Sequence, residues 1–394
     1  MICCINPNCP NPQNPDGEKY CLGCGVQLVP ILRGRYRIVE LLGRGSFGKT
    51  YLAEDIDKLN ERCVVKQLAP KVQETWAIDK SVELFKQEAK QLQHLGGHSQ
   101  IPSLFAYFEE EKYLYLVQQF IDGDNLLKLW LQQGDWQESQ VRQLLLELLP
   151  VLKFIHEQKI VHRDIKPENI MRRCSDGLLV LIDFGVSKQL SGTVMSKPGT
   201  QIGSFGYAPL EQMQGGEAYP ASDLFSLGAT AFHLLTGLYP YRLWVEHGYS
   251  WTANWQQYLP SLIDHELAGI LSKLLAKDIQ QRYQSAEEVL KDFQNQSEQF
   301  LIPNLPKFYF QVVTVDARGN ITNRQHRQAQ FFREDLGGGA ILDMVAIPGG
   351  RFVMGSPHTE AGRNDSEGSP HTVNISPFFM GKYLVTQEKY QAVM

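Results

Sequence analysis

The sequence predicts an α+β protein with two unequal lobes, a short cysteine-rich segment before them and an incomplete α/β module after them. After Arg33 the chain has strand-like runs such as "RYRIVELLGRGSFGKTYLAE" and "ERCVVKQL". From "DNLLKLWLQ" onward helical spacing dominates, and this order is typical of two lobes that share a cleft. After Phe300 the segment "IPNLP" contains two prolines, and strand patterns return beyond it. The predicted parts are the cysteine-rich segment 1–30, the two lobes 33–121 and 122–296 (together 33–296), the linker 297–306 and the module 307–394.

Composition restricts the classes of function. Of 394 residues, 43% are hydrophobic and 21% are charged, which are ordinary values for globular proteins. The formal net charge of −5 gives no electrostatic drive toward nucleic acid or an anionic membrane. No apolar run approaches the roughly 20 residues that cross a bilayer, and "MICCINPNCP" lacks the pattern of a signal sequence. We therefore expect no nucleic-acid partner, no integral membrane segment and a cytoplasmic location.

The glycine-rich stretch "GRGSFGKT", Gly43 to Thr50, fits two phosphate-binding patterns. As G-x-x-x-x-G-K-T it is a Walker A loop, in which Lys49 and Thr50 contact phosphate and magnesium. As G-x-G-x-x-G it is a loop between two strands that lies over ATP phosphates. In "LLVLIDFG", Asp183 could likewise end a Walker B strand or begin a D-F-G motif. The stretch "YLAEDIDKLNE" could be a helix, or a strand that turns at Asn60.

Two further features decide between these patterns. Lys66 lies in the apolar strand "CVVKQL", where an unpaired ammonium is costly to bury, and Glu88 in the next helical segment is its natural partner. The stretch "IVHRDIKPENIM", Ile160 to Met171, places five chargeable side chains in seven residues just upstream of "LIDFG". Four motifs in this order are improbable by chance, so a catalytic loop explains the stretch better than a solvated surface loop does.

Together these motifs resemble the serine/threonine protein kinases of the bacterial Hanks type, over about Arg33 to Asn295. The resemblance implies a bilobal protein-kinase fold with a β-rich N-lobe and a helical C-lobe. It also implies transfer of the ATP γ-phosphate to serine or threonine hydroxyls of protein substrates in signalling. Two alternatives stay open: a P-loop ATPase, which depends on Lys49 rather than Lys66, and a non-catalytic interaction protein with the same fold. The intact set of catalytic motifs disfavours the second.

The resemblance assigns binding roles to matching positions. Lys66, paired with Glu88, would hold the α- and β-phosphates of ATP. Asp183 and Asn169 would bind Mg²⁺ or Mn²⁺ through hard oxygen ligands. Gln118 matches the gatekeeper beside the adenine pocket. The glycine loop and the hinge would contact ATP at Gly43, Gly45, Ser46, Phe47, Gly48, Gln119 and Ile121.

The resemblance also assigns the catalytic and supporting roles. Asp164 would orient the substrate hydroxyl and accept its proton, and Lys166 would lie near the transferred phosphate. Asp223 matches the aspartate that anchors the backbone of the catalytic loop. Glu211 and Arg282 match an ion pair that ties the activation segment to the C-lobe.

The segment that follows Asp183 is rich in hydroxyl groups. Because Arg163 precedes the catalytic aspartate, we expect it to bind a phosphate that autophosphorylation adds to this segment. The candidate phosphorylation sites are Thr193, Ser196 and Thr200.

Five of the seven cysteines lie within the first 24 residues. The patterns C-x4-C and C-x2-C-G, in a segment too short for a core, predict one structural Zn²⁺. Cys3 is an alternative to Cys4 as a ligand, and a redox-responsive thiol cluster is the alternative to zinc. Cys63 and Cys174 lie alone in apolar stretches and are expected to be small buried side chains. The predicted zinc ligands are Cys4, Cys9, Cys21 and Cys24.

The stretches "IPGGRFVMGS", "SPHTV" and "YLVTQEKY" resemble the start of the formylglycine-generating enzyme, or sulfatase-modifying factor, family, over about Leu342 to Met394. The catalytic cysteines of that family lie further downstream, and no cysteine follows Cys174. We therefore expect a truncated module that does not generate formylglycine.

Overall fold

The structure is a computed structural model. It describes residues 2–45, 48–70, 75–184, 206–214, 216–299, 305–315, 321–337, 340–347, 350–354, 371–375, 378–384, 386–387 and 390. The chain divides into two compact units, Met1–Leu290 and Lys291–Met394.

The cysteine-rich segment packs onto the first lobe of the larger unit. Its short strands, β1 (Ile2–Cys3) and β2 (Gln13–Asn14), pair antiparallel. The Cys3 side chain is buried in the core of the first lobe, whereas Cys4 lies in a separate cluster of cysteine side chains. Of the two alternatives, Cys4 is therefore the candidate ligand and Cys3 anchors the segment.

The first lobe, or N-lobe, is one antiparallel sheet with a single described α-helix. Its elements are β3 (Ile31–Leu32), β4 (Tyr36–Arg44), β5 (Gly48–Asp55), β6 (Glu61–Leu68), α1 (Thr75–His94), β7 (Leu104–Glu110) and β8 (Tyr113–Gln119). The strand order is β3-β4-β5-β6-β8-β7. The chain after β5 turns at Leu59 and Asn60, whose φ angles are 55° and 62°. The stretch after the glycines is therefore a strand and a turn, not the helix that follows a P-loop.

The register of this sheet places alternate side chains on opposite faces. Thr50 of β5 lies opposite Lys66 of β6, and Lys49 lies opposite Gln67. Residues that face each other across an antiparallel pair share a side of the sheet, and successive residues alternate. Lys49 and Lys66 therefore leave opposite faces. Tyr51, on the same face as Lys49, packs into the N-lobe core.

The second lobe, or C-lobe, is mainly helical. Its helices are α2 (Leu126–Gln133), α3 (Glu138–Glu157), α4 (Leu210–Gln214), α5 (Pro220–Thr236), α6 (Pro240–His247), α7 (His265–Leu274) and α8 (Ala286–Gln299). A small sheet contains β9 (Gly123–Asn125), β10 (Ile170–Arg173) and β11 (Leu179–Leu181). Helix α5 is buried from Ala221 to Leu235. Most of its residues are apolar, and its buried polar side chains, such as Asp223, Ser226 and Thr230, form hydrogen bonds inside the lobe. The predicted α+β class, with a β-rich lobe before a helical one, is confirmed.

The two isolated cysteines differ from each other. Cys63 is buried in the N-lobe sheet, as expected, but Cys174 is exposed, so the prediction that it is buried is wrong. Cys174 follows β10 in the turn toward β11, where its backbone N–H donates to the carbonyl oxygen of Asp122 at 2.8 Å. The apolar neighbours that suggested burial belong to the strands on either side of this turn.

After the end of helix α8, the smaller unit contains six described strands. They are β12 (Lys307–Val315), β13 (Ile321–Asp335), β14 (Ile341–Ile347), β15 (Gly350–Met354), β16 (His371–Ile375) and β17 (Phe378–Gly381). One sheet has the order β12-β13-β14-β17, and β15 pairs with β16. Phe332 and Phe379 pack edge to face with ring centroids 4.9 Å apart. Within the described part of the whole chain, helices are too short or too polar for a bilayer span.

Candidate active site

The candidate catalytic loop lies between α3 and β10, with Asp164 at its centre. Asn169 Nδ2 donates to Asp164 Oδ2 at 2.7 Å and to the Asp164 carbonyl oxygen at 2.8 Å. Lys166 Nζ lies 3.5 Å from the same Oδ2. Asp164 and Asn169 are both buried, so these contacts fix the direction of the carboxylate. A carboxylate held in this way can accept a proton from a hydroxyl, while the lysine neutralises developing negative charge.

Asp223 of the buried helix α5 holds the backbone of this loop. Its Oδ2 accepts the His162 N–H and its Oδ1 accepts the Arg163 N–H, each at 2.8 Å. His156 Nε2 lies 2.9 Å from Oδ2. Arg163 has a φ of 69°, a conformation that is costly for a residue with a side chain. The paired bonds to Asp223 hold the loop in that conformation.

Lys66 of β6 joins helix α1 to the D-F-G segment. Its ammonium forms one ion pair with Glu88 and a second, 2.6 Å long, with Asp183 Oδ1. Burial alone would lower the pKa of Lys66, but the carboxylates of Asp183 and Glu88 raise that pKa above its usual value. Lys66 is therefore charged at neutral pH. The Asp183 side chain is 46% exposed, so its carboxylate is accessible to a ligand.

His162 has a role that the sequence analysis missed. Its ring packs on Phe184, with centroids 4.6 Å apart, and its Nε2 lies 3.0 Å from the carbonyl oxygen of Ile182. Burial lowers the pKa of His162, so the ring is neutral and Nε2–H donates this bond. From the sequence, His162 was only one of five chargeable residues in this stretch. In the structure it connects the catalytic loop to the D-F-G segment.

The glycine-rich stretch forms a hairpin between β4 and β5. Gly43 lies opposite Thr50, and the Gly45 N–H donates to the Gly48 carbonyl oxygen at 2.8 Å. A Cβ atom at Gly48 would lie 1.8 Å from the carbonyl oxygen of Gln67. Glycine is therefore required at position 48 by the close approach of β6. Outside the described residues lie two further predicted ATP contacts, Ser46 and Phe47.

Lys49, the residue on which a P-loop depends, does not face the cleft. Its Nζ donates to the carbonyl oxygens of Asn6 at 3.0 Å and Cys9 at 3.3 Å, and the side chain is buried. A Walker A lysine must reach the β- and γ-phosphates. The P-loop alternative is therefore wrong.

The hinge candidates lie at the junction of the two lobes. Gln118, near the end of β8, is buried and lies opposite Val64 of β6. The Gln119 N–H donates to the Ser103 carbonyl oxygen at 2.9 Å, and Ile121 is buried two residues after the strand. These residues connect β8 of the N-lobe to β9 of the C-lobe.

Glu211 and Arg282 form the ion pair that the sequence predicted. Arg282 Nη1 lies 2.7 Å from Glu211 Oε1, and Nη2 lies 3.1 Å from Oε2. The Arg282 side chain is 0% exposed, and it also donates to the carbonyl oxygens of Ala276 and Lys277. Two parallel bonds to one carboxylate give the pair a fixed geometry.

Comparison with known families identifies this arrangement. The protein kinase domain family matches residues 36–293, which include both lobes and every cleft residue described above. The chain belongs to the protein kinase family. The sulfatase-modifying factor enzyme 1-like domain family matches residues 335–394 of this kinase chain, and this confirms the second resemblance.

The kinase chain is similar to bacterial serine/threonine-protein kinases. It is 39% identical to serine/threonine-protein kinase B of Synechocystis sp. over 299 residues, which are 74% of this chain and 51% of that protein. It is 43% identical to serine/threonine-protein kinase PknA of Nostoc sp. over 271 residues, which are 67% of this chain and 48% of that protein. The chain thus spans about half the length of these curated relatives.

Solved structures show the same fold. One solved structure, "PpkA-294 apo form", covers 67% of this chain and 98% of its own, with a TM-score of 0.56 and 25% identity. This likeness agrees with the bilobal kinase fold seen here.

The kinase chain also brings its four predicted zinc ligands together. The Sγ atoms of Cys4, Cys9, Cys21 and Cys24 all lie within 4.8 Å of one another. The Cys4–Cys24 and Cys9–Cys21 sulfur separations are 3.7 and 3.5 Å, far longer than the ~2.05 Å of a disulfide. They are close to the ~3.8 Å that tetrahedral Zn²⁺ with Zn–S bonds of ~2.3 Å requires. The donor set and its spacing therefore fit zinc.

The backbone of the C-x2-C loop, Cys21 to Cys24, favours the thiolate forms of its two cysteines. A Cβ atom at Gly23 would lie 2.4 Å from the carbonyl oxygen of Asn11, so the loop needs glycine there. Burial raises the pKa of Cys21, but hydrogen bonds from Asn14 and from the Gly23 backbone outweigh it, and the pKa falls to about 6. Hydrogen bonding from the Val26 backbone likewise lowers the pKa of Cys24.

The predicted activation-segment sites cannot be placed in this geometry. Outside the described residues lie all three candidates, Thr193, Ser196 and Thr200. Their proposed partner Arg163 is described, and burial lowers the pKa of its guanidinium.

Proposed function

We propose that this chain is a serine/threonine protein kinase, which transfers the γ-phosphate of ATP to serine or threonine hydroxyls of protein substrates in signalling. The main support is the position of Asp164, whose carboxylate is fixed by Asn169 and Lys166. The Lys66–Asp183 pair belongs to the same cleft. Phosphoryl transfer requires positioning and charge neutralisation rather than a covalent intermediate, and these side chains provide both.

In the proposed reaction the substrate hydroxyl oxygen attacks the γ-phosphorus, and the bond from that phosphorus to the ADP oxygen breaks. Asp164 accepts the hydroxyl proton. The Lys66 ammonium holds the α- and β-phosphates, and Lys166 neutralises charge on the transferred group. The glycine hairpin covers the phosphates, while the backbone at Gln119 and Ile121 binds adenine.

Asn169 and Asp183 fit a divalent cation such as Mg²⁺ or Mn²⁺. Because Asn169 Nδ2 donates to Asp164, the amide oxygen is the side-chain atom left to serve as a ligand. The partly exposed Asp183 carboxylate supplies a second hard oxygen donor. A bound Mg²⁺ would neutralise phosphate charge.

Phosphate transfer from labelled ATP, to the chain itself and to a generic basic protein, tests this function. Asp164→Asn should lower the transfer rate on the order of 10²–10⁴-fold, because it removes the proton acceptor. Asp57→Asn is the control, since Asp57 is an N-lobe carboxylate that is 64% exposed. Equal transfer by the Asp164→Asn variant and the unaltered chain would contradict the proposal. Nucleotide binding without transfer by the folded, unaltered chain would favour the interaction-protein alternative.

We also propose that the kinase autophosphorylates its activation segment at Thr193, Ser196 or Thr200, and that Arg163 binds the phosphate. The half-buried guanidinium gains from an anionic partner, because burial disfavours its charged form. Phosphopeptide mapping of active protein checks this, and an unmodified segment would contradict it.

We infer that Cys4, Cys9, Cys21 and Cys24 bind one structural Zn²⁺. Atomic emission should find about one zinc per chain, as one tetrahedral four-thiolate site holds, and Cys21→Ser should release it. Cys174→Ser is the matched control, because Cys174 is an exposed cysteine outside the cluster. Protein without zinc, whose thiol count changes with redox conditions, would instead support the redox alternative.

A further inference from the structure

Strands β12 and β13 form a two-stranded ribbon at one side of the smaller unit's sheet. β12 pairs with residues 321–330 of β13, whereas β14 pairs only with residues 331–335. A ribbon of two strands is only marginally stable in water unless further strands or a packed face support it. Among the described residues, no strand adjoins the outer edge of β12.

Apolar side chains are exposed on both faces of β12. Tyr309 is 75% exposed and Val313 is 41% exposed on one face, and Phe310 and Val312 are 39% and 42% exposed on the other. The only charged residue of β12 is its first one. Edge strands in natural proteins are usually short, charged or interrupted by proline, which prevents pairing with another strand. β12 has none of these protections, so its edge is suited to a further strand.

The backbone of β12 presents alternate residues to this outer edge. The Phe331 N–H donates to the Pro306 carbonyl oxygen at 3.0 Å, so the backbone groups of residue 306 point toward β13. Hydrogen-bonded and non-hydrogen-bonded pairs alternate along an antiparallel ladder, and the register has no shift before Thr314. The backbone groups of residues 308, 310 and 312 therefore also point toward β13. The groups that point outward belong to Tyr309, Gln311 and Val313.

β12 is complementary to a second copy of itself in the antiparallel orientation. Gln311 is the middle residue of the strand, so a two-fold axis beside it would pair the whole strand with its copy. The outward backbone groups of Gln311 would then bond those of the same residue in the copy, and those of Tyr309 would bond those of the copy's Val313. On the opposite face Phe310 would lie beside the copy's Val312. Cross-strand pairs of an aromatic and a β-branched side chain are favourable.

Charge favours the edge of β12 over the other edge of the ribbon. Residues 321–330 of β13 include Arg324 and Arg327. Two copies that met through that edge would bring like charges together, which is unfavourable. Arg324 Nη1 also donates to Gln311 Oε1 at 2.9 Å, and this bond holds the side chain in the middle of β12.

We propose that two copies of this chain associate through antiparallel pairing of their β12 strands, centred on Gln311. The contact is isologous, because each copy uses the same edge, so the assembly closes at a dimer. The two ribbons join into one continuous sheet, which supplies the neighbouring strands that each ribbon lacks. This association requires neither phosphate transfer nor zinc.

Sedimentation equilibrium of the full chain tests the association. The protein concentration is varied over roughly 1–100 μM, around the weak limit of protein interfaces. The average mass should rise from the 44.8 kDa of one chain toward twice that value.

A proline variant locates the contact. Gln311→Pro removes the outward N–H at its centre and leaves the bonds from β12 to β13 in place, as proline does on the solvent side of an edge strand. It should weaken association at least roughly 10-fold, because the central pair loses an N–H donor on both copies. Gln311→Ala is the matched control, since it keeps the backbone N–H and changes only an exposed side chain. Its association should stay within about threefold of the unaltered chain.

Hydrogen exchange of the unaltered chain provides a second measurement that needs no variant. The outward N–H groups of Tyr309, Gln311 and Val313 should exchange at least about tenfold more slowly at high protein concentration than at low concentration. The N–H groups of Phe310 and Val312 point toward β13 in either state, so their exchange should depend much less on concentration. This measurement decides the question if Gln311→Pro prevents folding of the smaller unit.

Three outcomes would overturn the inference. The first is a chain that keeps the mass of one copy over the whole concentration range. The second is a dimer that a folded Gln311→Pro variant still forms, or outward N–H groups whose exchange does not depend on concentration. The third is growth beyond a dimer, because an isologous contact through a single edge cannot extend.

Discussion

Lys66 and Lys49 lie on neighbouring strands of one sheet, and both are largely removed from water. Lys66 contacts two carboxylates, which raise its pKa. Lys49 contacts carbonyl oxygens of the cysteine-rich segment, and burial lowers its pKa. The same residue type therefore joins helix α1 to the D-F-G segment in one place and holds the cysteine-rich segment in the other. The partners, and not the sequence motif around the lysine, determine which.

The two kinds of contact also differ in what the removal of the cation costs in stability. Removing a cation that faces a carboxylate leaves an uncompensated buried charge. Removing a cation that faces carbonyl oxygens leaves neutral acceptors and also ends the cost of burying the cation. Substitution of a buried cation should therefore cost more stability where the cation faces a carboxylate than where it faces carbonyl oxygens.

The largest effect on stability is expected at Arg282. Arg282→Ala should lower the free energy of unfolding by about 3–5 kcal/mol, because Glu211 would remain without its fully buried partner. Chemical denaturation measures this. Arg242→Ala is the control, since it breaks an exposed pair with Glu246 and should cost roughly 0–1 kcal/mol. Equal losses for the two variants would show that burial of the pair does not matter.

Glu88→Gln should lower kcat/KM for phosphate transfer by roughly 10²-fold. The neutral amide no longer holds the Lys66 ammonium in place, and the lysine is drawn wholly toward Asp183. Steady-state kinetics with varied ATP measures the effect. Glu83→Gln on the same helix is the matched control, because Glu83 is 63% exposed. A Glu88→Gln variant as active as the control would show that phosphate transfer does not need the ion pair between Lys66 and helix α1.

The smallest effect is expected at Lys49. Lys49→Met should lower the free energy of unfolding by only about 1 kcal/mol, because lost hydrogen bonds are partly offset by the end of a costly burial. Denaturation of zinc-loaded protein measures this. A loss as large as that for Arg282→Ala would mean that Lys49 faces negative charge more directly than the carbonyl contacts indicate.

The candidate site residues could be proposed from the sequence because their chemistry lies in short motifs. Asp164, Lys166 and Asn169 lie within six residues, and only the partner of Lys66 had to be found at a distance. Lys49 was harder, because its partners lie about 40 residues earlier in the chain. The residues around Lys49 fit a Walker A loop. Only the register of β5 against β6, with side chains alternating between the two faces, shows that Lys49 faces away from Lys66.

Two other features could not be predicted from the sequence, because they depend on contacts between distant segments or on a turn. Cys174 was expected to be buried because its neighbours are apolar, but a turn places it at the surface. The contact of His162 with Phe184 joins two segments that periodicity does not relate. The four-cysteine cluster was predicted because a segment without a core has few other uses for paired thiols.

The most direct test of the account compares the two lysines in one assay. Phosphate transfer from saturating labelled ATP should fall by at least roughly 10²-fold in Lys66→Met. The same rate in zinc-loaded Lys49→Met should stay within about threefold of the unaltered chain, because that lysine does not touch ATP. The reverse pattern, with transfer lost in Lys49→Met and kept in Lys66→Met, would contradict the assignment of Lys66 to the catalytic cleft.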